Sequence, residues 1–214
     1  MSVRIVIVDD HPVVASGLEG VLAREPDLEV VVVAGSLAAA RDLLARERPD
    51  VVLLDLRLAD GSGFDLLLEA RELPAPPAFI VVSSFGMPQY VDAALRHGAS
   101  GFVLKTAPTA EILDAIRRVA EGGVAFPAEL LLAVQRSGWI PLSPRDQRLV
   151  GLLLQGRTND EIAATLSITR KGIEAHLGRL FERFGVASRT ELAVRAEREG
   201  WLALPTDSRR AEAR

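Results

Sequence analysis

Val51-Val52-Leu53-Leu54-Asp55 decides the fold. Four apolar residues run straight into a carboxylate, and the turn residues Asp60-Gly61-Ser62-Gly63 follow. Such a run reads as a short strand buried on both faces, as in the middle of a parallel sheet. The same form repeats outward in both directions. Ile5-Val6-Ile7-Val8 runs into Asp9 and Asp10, Phe79-Ile80-Val81-Val82 into Ser83, and Gly101-Phe102-Val103-Leu104 into Lys105. In a parallel sheet the carboxyl ends of all strands share one edge, and ligands bind there. Residues scattered from position 9 to position 105 therefore converge on one site, which holds three carboxylates, a hydroxyl and an ammonium. Single polar residues often do no more than cap strands; the whole ordered set argues for a site.

Around these runs, strand and helix patterns alternate. Strands are expected at 4–8, 29–33, 51–54, 78–82 and 101–104, followed by helices around 12–24, 37–47, 64–72, 89–97 and 109–121. Five such units argue for an α/β fold, a five-stranded doubly wound parallel sheet of the flavodoxin-like kind. Gly122-Gly123 closes this domain, so it spans residues 1–122. Residues 123–141 read as a linker with a short helix at 127–136, whose Leu130, Leu131 and Val134 share one face. After Leu142 the strands stop and cap signals take over. Ser143 precedes Pro144 as an N-cap, Thr158 with Glu161 and Ser188 with Glu191 read as capping boxes, and Thr169 is a further N-cap. Four short helices make a small all-α domain over 142–204, and the polar residues 205–214 are expected to form a disordered tail.

Composition sets bounds on function. Of the 214 residues, 49% are hydrophobic and 25% charged, enough to build a packed core. The absence of cysteine removes disulfides and thiolate metal sites. The start, Met1-Ser2-Val3-Arg4, leads directly into a strand and is unlike a signal peptide. No apolar run has the roughly 20 residues that a bilayer crossing needs, so a cytoplasmic chain with no membrane partner is expected. The net charge of −4 is unevenly spread. Residues 1–141 carry 12 Lys and Arg against 19 Asp and Glu, a net −7, and residues 142–214 carry 13 against 10, a net +3. A modestly basic part beside an acidic one suggests separate jobs, with nucleic acid a candidate partner for the basic part.

The clustered acids call for a cation. Three carboxylates within a few ångströms repel one another, and Mg²⁺ relieves that while leaving room for water and phosphate oxygens. Lys105 adds a point charge suited to a phosphoryl oxygen and Ser83 adds a hydroxyl donor. A pocket of this kind stabilises a transferring phosphoryl group, so one carboxylate can act as nucleophile. Asp55, on the central run, is the natural acceptor. The chain has only two lysines, Lys105 and Lys171, against 23 arginines. Lysine at 105 therefore stands out, since a compact ammonium and a planar guanidinium are not equivalent.

Val8-Asp9-Asp10-His11-Pro12, Leu53-Leu54-Asp55-Leu56, Ser83 and Gly101-Phe102-Val103-Leu104-Lys105 make residues 1–122 resemble the receiver domain of bacterial two-component response regulators. The resemblance implies that Asp55 accepts a phosphoryl group, from a sensor histidine kinase or a small acyl phosphate. It implies that Asp9 and Asp10 form the acidic pair, and that Asp10, Asp55 and the backbone carbonyl of Arg57 hold Mg²⁺. It also implies a switch pair, in which the Ser83 hydroxyl moves to the phosphoryl group and the Phe102 ring turns inward. Ala59 stands where the family usually has proline, and Phe102 where tyrosine is common. Some aspartyl-phosphate enzymes place a second Asp two residues after the nucleophile as acid and base. Here that residue is Arg57, which cannot donate a proton at neutral pH, so no turnover of an external substrate is expected. Gly61-Ser62-Gly63 is too short for a nucleotide loop and reads as a turn.

In the second part, 158–166 and 169–184 have the length and spacing of a helix-turn-helix. Ile173, Leu177, Leu180 and Phe184 form one apolar stripe, while Lys171, Ala175, Gly178 and Arg179 lie opposite. A helix anchored on one side and polar or small on the other can lie in a major groove. Leu142-Ser143-Pro144-Arg145-Asp146, Gly156-Arg157-Thr158-Asn159-Asp160-Glu161-Ile162-Ala163 and Ile173-Glu174-Ala175-His176 make residues 142–202 resemble the DNA-binding domain of the LuxR/NarL regulators. Lys171, Glu174, Ala175 and Arg179 are then the candidates for bases, and Arg170, Arg183 and Arg189 for phosphates. Glu174 replaces a residue that is often basic in the family, and glycines 172 and 178 each cost about 1 kcal/mol of helix relative to alanine. His176, at the edge of the stripe, is read as a packing or phosphate-side residue rather than a metal ligand.

Together the two resemblances imply a DNA-binding response regulator. Phosphorylation of Asp55 would switch the receiver, control homodimer formation, and so control binding of the second domain to double-stranded DNA. The alternative is a receiver whose helical module binds a protein rather than DNA.

Overall fold

The computed structural model describes residues 2–137 and 141–204; the expected tail at 205–214 lies outside them. The chain divides into two compact units, Met1–Trp139 and Ile140–Arg214.

The first unit is the expected α/β domain. Its strands are β1 (Val3–Val8), β2 (Leu28–Ala34), β3 (Val51–Leu54), β4 (Ala78–Ser83) and β5 (Gly101–Leu104). All pair in parallel, in the order β2-β1-β3-β4-β5. The order reverses at β1, which opens a crevice between β1 and β3 at their carboxyl ends. Every residue of β3 is at most 1% exposed, as its unbroken apolar run requires. Ile5, Ile7, Leu53, Ile80, Val82 and Val103 pack on one face against α1 (Pro12–Leu22) and α5 (Thr109–Ala120), through Leu18, Leu22, Ile112, Ile116 and Val119. The alternate residues, Val6, Val8, Val52, Leu54, Phe79, Val81 and Phe102, are buried on the opposite face. There α2 (Leu37–Glu47), α3 (Gly63–Glu69) and α4 (Pro88–Arg96) bury Ala40, Leu44, Phe64, Leu67, Val91 and Ala94.

Local departures from the expected pattern have simple causes. The helix expected at 64–72 is α3 from Gly63, capped by the Ser62 hydroxyl, and it tightens into a 3₁₀ turn at Ala70–Glu72 before the proline-rich segment. Arg57–Leu58 and Gly61–Ser62 form a two-residue antiparallel ladder that apolar periodicity could not signal. The segment after α5 is bonded to the sheet edge: Phe102 N–H donates to the Ala125 carbonyl at 2.8 Å, and Ala125 N–H donates to Ser100 at 2.9 Å. The following helix α6 (Ala128–Ser137) packs on α4, with Leu130, Leu131 and Val134 half-buried. This part of the expected linker is thus folded into the first unit.

The second unit contains α7 (Pro144–Leu154), α8 (Asn159–Leu166), α9 (Arg170–Phe184) and α10 (Arg189–Arg198). Ser143 and Asp146 form a reciprocal capping box on α7, and Thr158 and Glu161 form one on α8. Thr169 caps α9 through the Gly172 N–H. At α10 only half of the expected box forms. The Ser188 hydroxyl accepts from Glu191 N–H, but the Glu191 carboxylate takes the N–H of Ala187 instead of that of Ser188. Gly185, at φ +62°, ends α9 in the left-handed conformation that glycine adopts without strain. The apolar stripe of α9 is buried, and Phe184 packs at a tilt against the fully buried Trp201 with ring centroids 4.2 Å apart.

Candidate functional site

Strand register brings the acids together. Val8 pairs with Leu54, so the next residues, Asp9 and Asp55, leave the sheet side by side. On the other flank Ser83 pairs with Leu104, and Lys105 follows. Asp9, Asp55 and Ser83 are 4–5% exposed. Lys105 Nζ lies 2.7 Å from Asp55 Oδ2 and 2.7 Å from Asp9 Oδ2. Burial pulls the lysine pKa down, but the hydrogen bonds to Asp55 and Asp9 outweigh it, so the pKa is raised and the ammonium persists.

Three of the other acid oxygens are held by backbone N–H groups of the loops. His11 N–H donates to Asp9 Oδ1 at 2.9 Å, Ala59 N–H to Asp10 Oδ2 at 2.8 Å, and Arg57 N–H to Asp55 Oδ1 at 3.3 Å. Asp10 Oδ1 is buried without a hydrogen bond. Its near neighbour is His11 Nδ1, 2.8 Å away, and that nitrogen also lies 3.2 Å from Asp9 Oδ1 and 3.7 Å from Asp55 Oδ2. One donor atom each from Asp9, Asp10, His11 and Asp55 falls within 4.8 Å of the others. Oxygen donors this close, one of them orphaned, suit a hard divalent cation. In the sequence His11 stands out only as part of a motif, and its place next to two aspartates at a strand end is the signal that marks it.

Gly63 is a second residue that the sequence did not single out. A Cβ there would overlap the Asp55 carbonyl and come within 3.1 Å of Leu56 Cα. Its role is close backbone approach at the carboxyl end of β3, beyond turning the chain.

Ser83 follows Val82 at the carboxyl end of β4, and Phe102 lies within β5, paired with Val81. The Ser83 hydroxyl accepts from Phe85 N–H at 3.1 Å and donates to the Phe85 carbonyl at 3.2 Å. Phe102 is fully buried. The Arg57 guanidinium lies over the Phe85 ring, 5.8 Å from its centroid.

In the second unit α9 exposes Lys171, Glu174, Ala175 and Arg179 along the side opposite its stripe. Arg170 is tied to Glu174 and Asp160, Arg183 to Asp146 and the Pro141 carbonyl, and Arg189 to Asn159 and the Arg157 carbonyl. These three arginines serve bonds within the helical unit, whereas Lys171 and Arg179 have no side-chain partner among the described residues.

Residues 5–117 match the family model of the response regulator receiver domain, and residues 140–196 match that of the luxR family of bacterial regulatory proteins. This chain belongs to the response regulators. Its two units, a receiver followed by a luxR-type helix-turn-helix, have the architecture of two-component transcription regulators. The chain is 34% identical to the transcriptional regulatory protein MctR of Rhizobium johnstonii, covering 87% of this chain and 89% of that one. It is 32% identical to the DNA-binding transcriptional activator DevR/DosR of Mycobacterium tuberculosis, covering 90% and 93%. Among solved structures it resembles the response regulator ChrA of a heme-sensing two-component system, with a TM-score of 0.55, 26% identity, and coverage of 94% of this chain and 98% of that one.

Proposed function

We propose that this response regulator takes a phosphoryl group on Asp55 and, in that state, dimerises and binds double-stranded DNA through α9. The observation that carries the reading is the shared ammonium: Lys105 Nζ is 2.7 Å from both Asp55 and Asp9 at the mouth of the sheet crevice.

In the transfer, an Asp55 carboxylate oxygen attacks the phosphorus of a phosphohistidine on a sensor kinase, or of an acyl phosphate. The bond from phosphorus to the donor's nitrogen or oxygen breaks, and the electron pair leaves with the donor. Lys105 is placed to balance the charge on the phosphoryl oxygens. Asp9, Asp10, Asp55 and the Arg57 carbonyl are the oxygens that would hold Mg²⁺, which when bound supplies charge neutralisation for the transferring group. Arg57 occupies the place where an acid and base would be needed for turnover and is engaged with Phe85. The product therefore stays on the protein, which acts as a switch rather than as an enzyme on an external substrate.

The switch begins at Ser83. A phosphoryl oxygen on Asp55 competes with the Phe85 carbonyl for the Ser83 hydroxyl hydrogen, and winning it frees the loop into α4. Phe102 is already buried, so the loop hydrogen bond is the part left to change. This biases the surface formed by α4, β5 and α5, and the bias favours a homodimer. Two copies of α9 then read two half-sites, with Lys171, Glu174, Ala175 and Arg179 toward the bases. No helix among the described residues is long and apolar enough to cross a membrane. The site of action is the cytoplasm, where kinase, DNA and Mg²⁺ meet.

The test is binding of the full chain to duplex DNA with and without acetyl phosphate and Mg²⁺. Phosphorylation should raise both the dimer fraction and the affinity, and Asp55→Asn should remove both effects. Loss of duplex binding in every state would favour a protein-binding output module instead.

A further inference from the structure

A cleft of about 780 Å³ opens in the helical unit between the first turns of α7, the α8–α9 turn and the second half of α9. Leu166, Ile168 and Leu180 supply its apolar lining. Its one carboxylate, Asp146, is fully engaged: it bonds His176 Nε2 at 2.6 Å and the Ser143 N–H at 3.2 Å, and it pairs with Arg183 at 3.4 Å. The rim is different. Arg145, Arg148 and Arg179 are all exposed, and none has a side-chain partner among the described residues. Arg183, which also lines the cleft, is bonded to Asp146 and the Pro141 carbonyl, and elsewhere in this unit arginines 157, 170, 189 and 195 are bonded to acids or an amide. Three unpaired guanidinium groups around one opening form a local positive field with no internal counter-charge.

The place of this rim on the domain indicates what it faces. Lys171, Ala175 and Arg179 step by four along α9 and make one line on the side opposite the buried stripe. Arg179 ends that line and also forms the rim of the cleft. The face proposed for the duplex therefore meets α7 across the mouth of this cleft. We propose that Arg145 and Arg148, with Arg179, seat the phosphodiester backbone of one DNA strand beside the groove that α9 enters. The phosphate contacts thus fall to the unpaired arginines of α7 rather than to Arg170, Arg183 and Arg189, which hold the domain together. Guanidinium forks suit phosphate oxygens, and such contacts fix orientation while carrying no sequence information. The proposal rests on the DNA-binding reading and adds to it the elements that grip the backbone.

The test measures anisotropy of a labelled mixed-sequence duplex with the full chain treated with acetyl phosphate and Mg²⁺, in salt from about 50 to about 200 mM. Each phosphate contact contributes roughly 0.9 to the slope of log affinity against log salt. The double variant Arg145→Gln, Arg148→Gln should be shallower by about 1.8, and Arg145→Lys, Arg148→Lys should restore most of that loss. Arg24→Gln with Arg136→Gln makes the same charge change at exposed sites of the first unit and should leave the slope as in the wild type. A thermal melt of each variant establishes that it is folded. Wild-type binding with an unchanged slope in the glutamine variant would overturn the proposal alone and leave the cleft to an acidic protein segment. No wild-type binding at the lowest salt would overturn the DNA-binding reading itself.

Discussion

Asp146 and His176 meet inside the helical unit, with Oδ1 and Nε2 2.6 Å apart. Burial raises the Asp146 pKa, but hydrogen bonds from His176 and Ser143 outweigh it and hold the carboxyl at about 2. A carboxylate depressed in the folded state stabilises it fully above the unfolded pKa of about 3.9 and loses that effect as pH falls toward the folded value. Asp146 should therefore contribute on the order of 2 kcal/mol near neutrality, lost between about pH 4 and pH 2. Comparing thermal melts of the wild type and Asp146→Asn across that window checks it: the gap between them should close as the pH drops.

Lys105 neutralises two buried carboxylates at once. Lys105→Gln leaves Asp55 and Asp9 facing each other without it. Breaking one partner of a buried ion pair costs about 3–5 kcal/mol, and bound Mg²⁺ should recover part of that. The expected outcome is a lower melting temperature in chelator than in Mg²⁺, together with phosphorylation from acetyl phosphate that is slowed at least tenfold. An unchanged phosphorylation rate would remove Lys105 from the chemistry.

Ser83→Ala separates transfer from response. The hydroxyl touches the Phe85 backbone rather than an acid, so labelling of Asp55 should persist. Dimer formation on phosphorylation, followed by sedimentation, should weaken. If the alanine variant dimerises as the wild type does, the loop hydrogen bond is not the trigger.

Gly63→Ala should displace the backbone beneath Asp55, because its Cβ has no room beside the Asp55 carbonyl. Overpacking of this kind costs about 1–3 kcal/mol. Denaturant titration should show that loss, and phosphorylation should slow as the acceptor shifts.

Much of this architecture was legible in the chain. The apolar runs ending in Asp9, Asp55, Ser83 and Lys105 could be read because a strand buried on both faces carries no polar interruption, and because parallel strands share one functional edge. The stripe on α9 and its cap at Thr169 were equally plain, since period and capping are local properties. What could not be read depends on distant backbone. Gly63 looked like a turn residue, and only the packing of α3 under β3 reveals its second role. His11 stood beside two acids in sequence, but its approach to Asp55 depends on the β1–β3 register. The carboxylate of Glu191 had two N–H groups within reach, and the sequence does not choose between them. The partners of Arg183 and Arg189, Asp146 and Asn159, lie 37 and 30 residues away, beyond local reading, whereas one partner of Arg170, Glu174, is only four residues on.

The central claim is that Asp55 is the phosphoryl acceptor in a pocket made by strand register. Intact-mass spectrometry after incubation with acetyl phosphate and Mg²⁺ tests it most directly. The account predicts one added phosphoryl group on the wild type and none on Asp55→Asn, with the melting curve of the variant preserved. A phosphoryl group retained by a folded Asp55→Asn chain would contradict it.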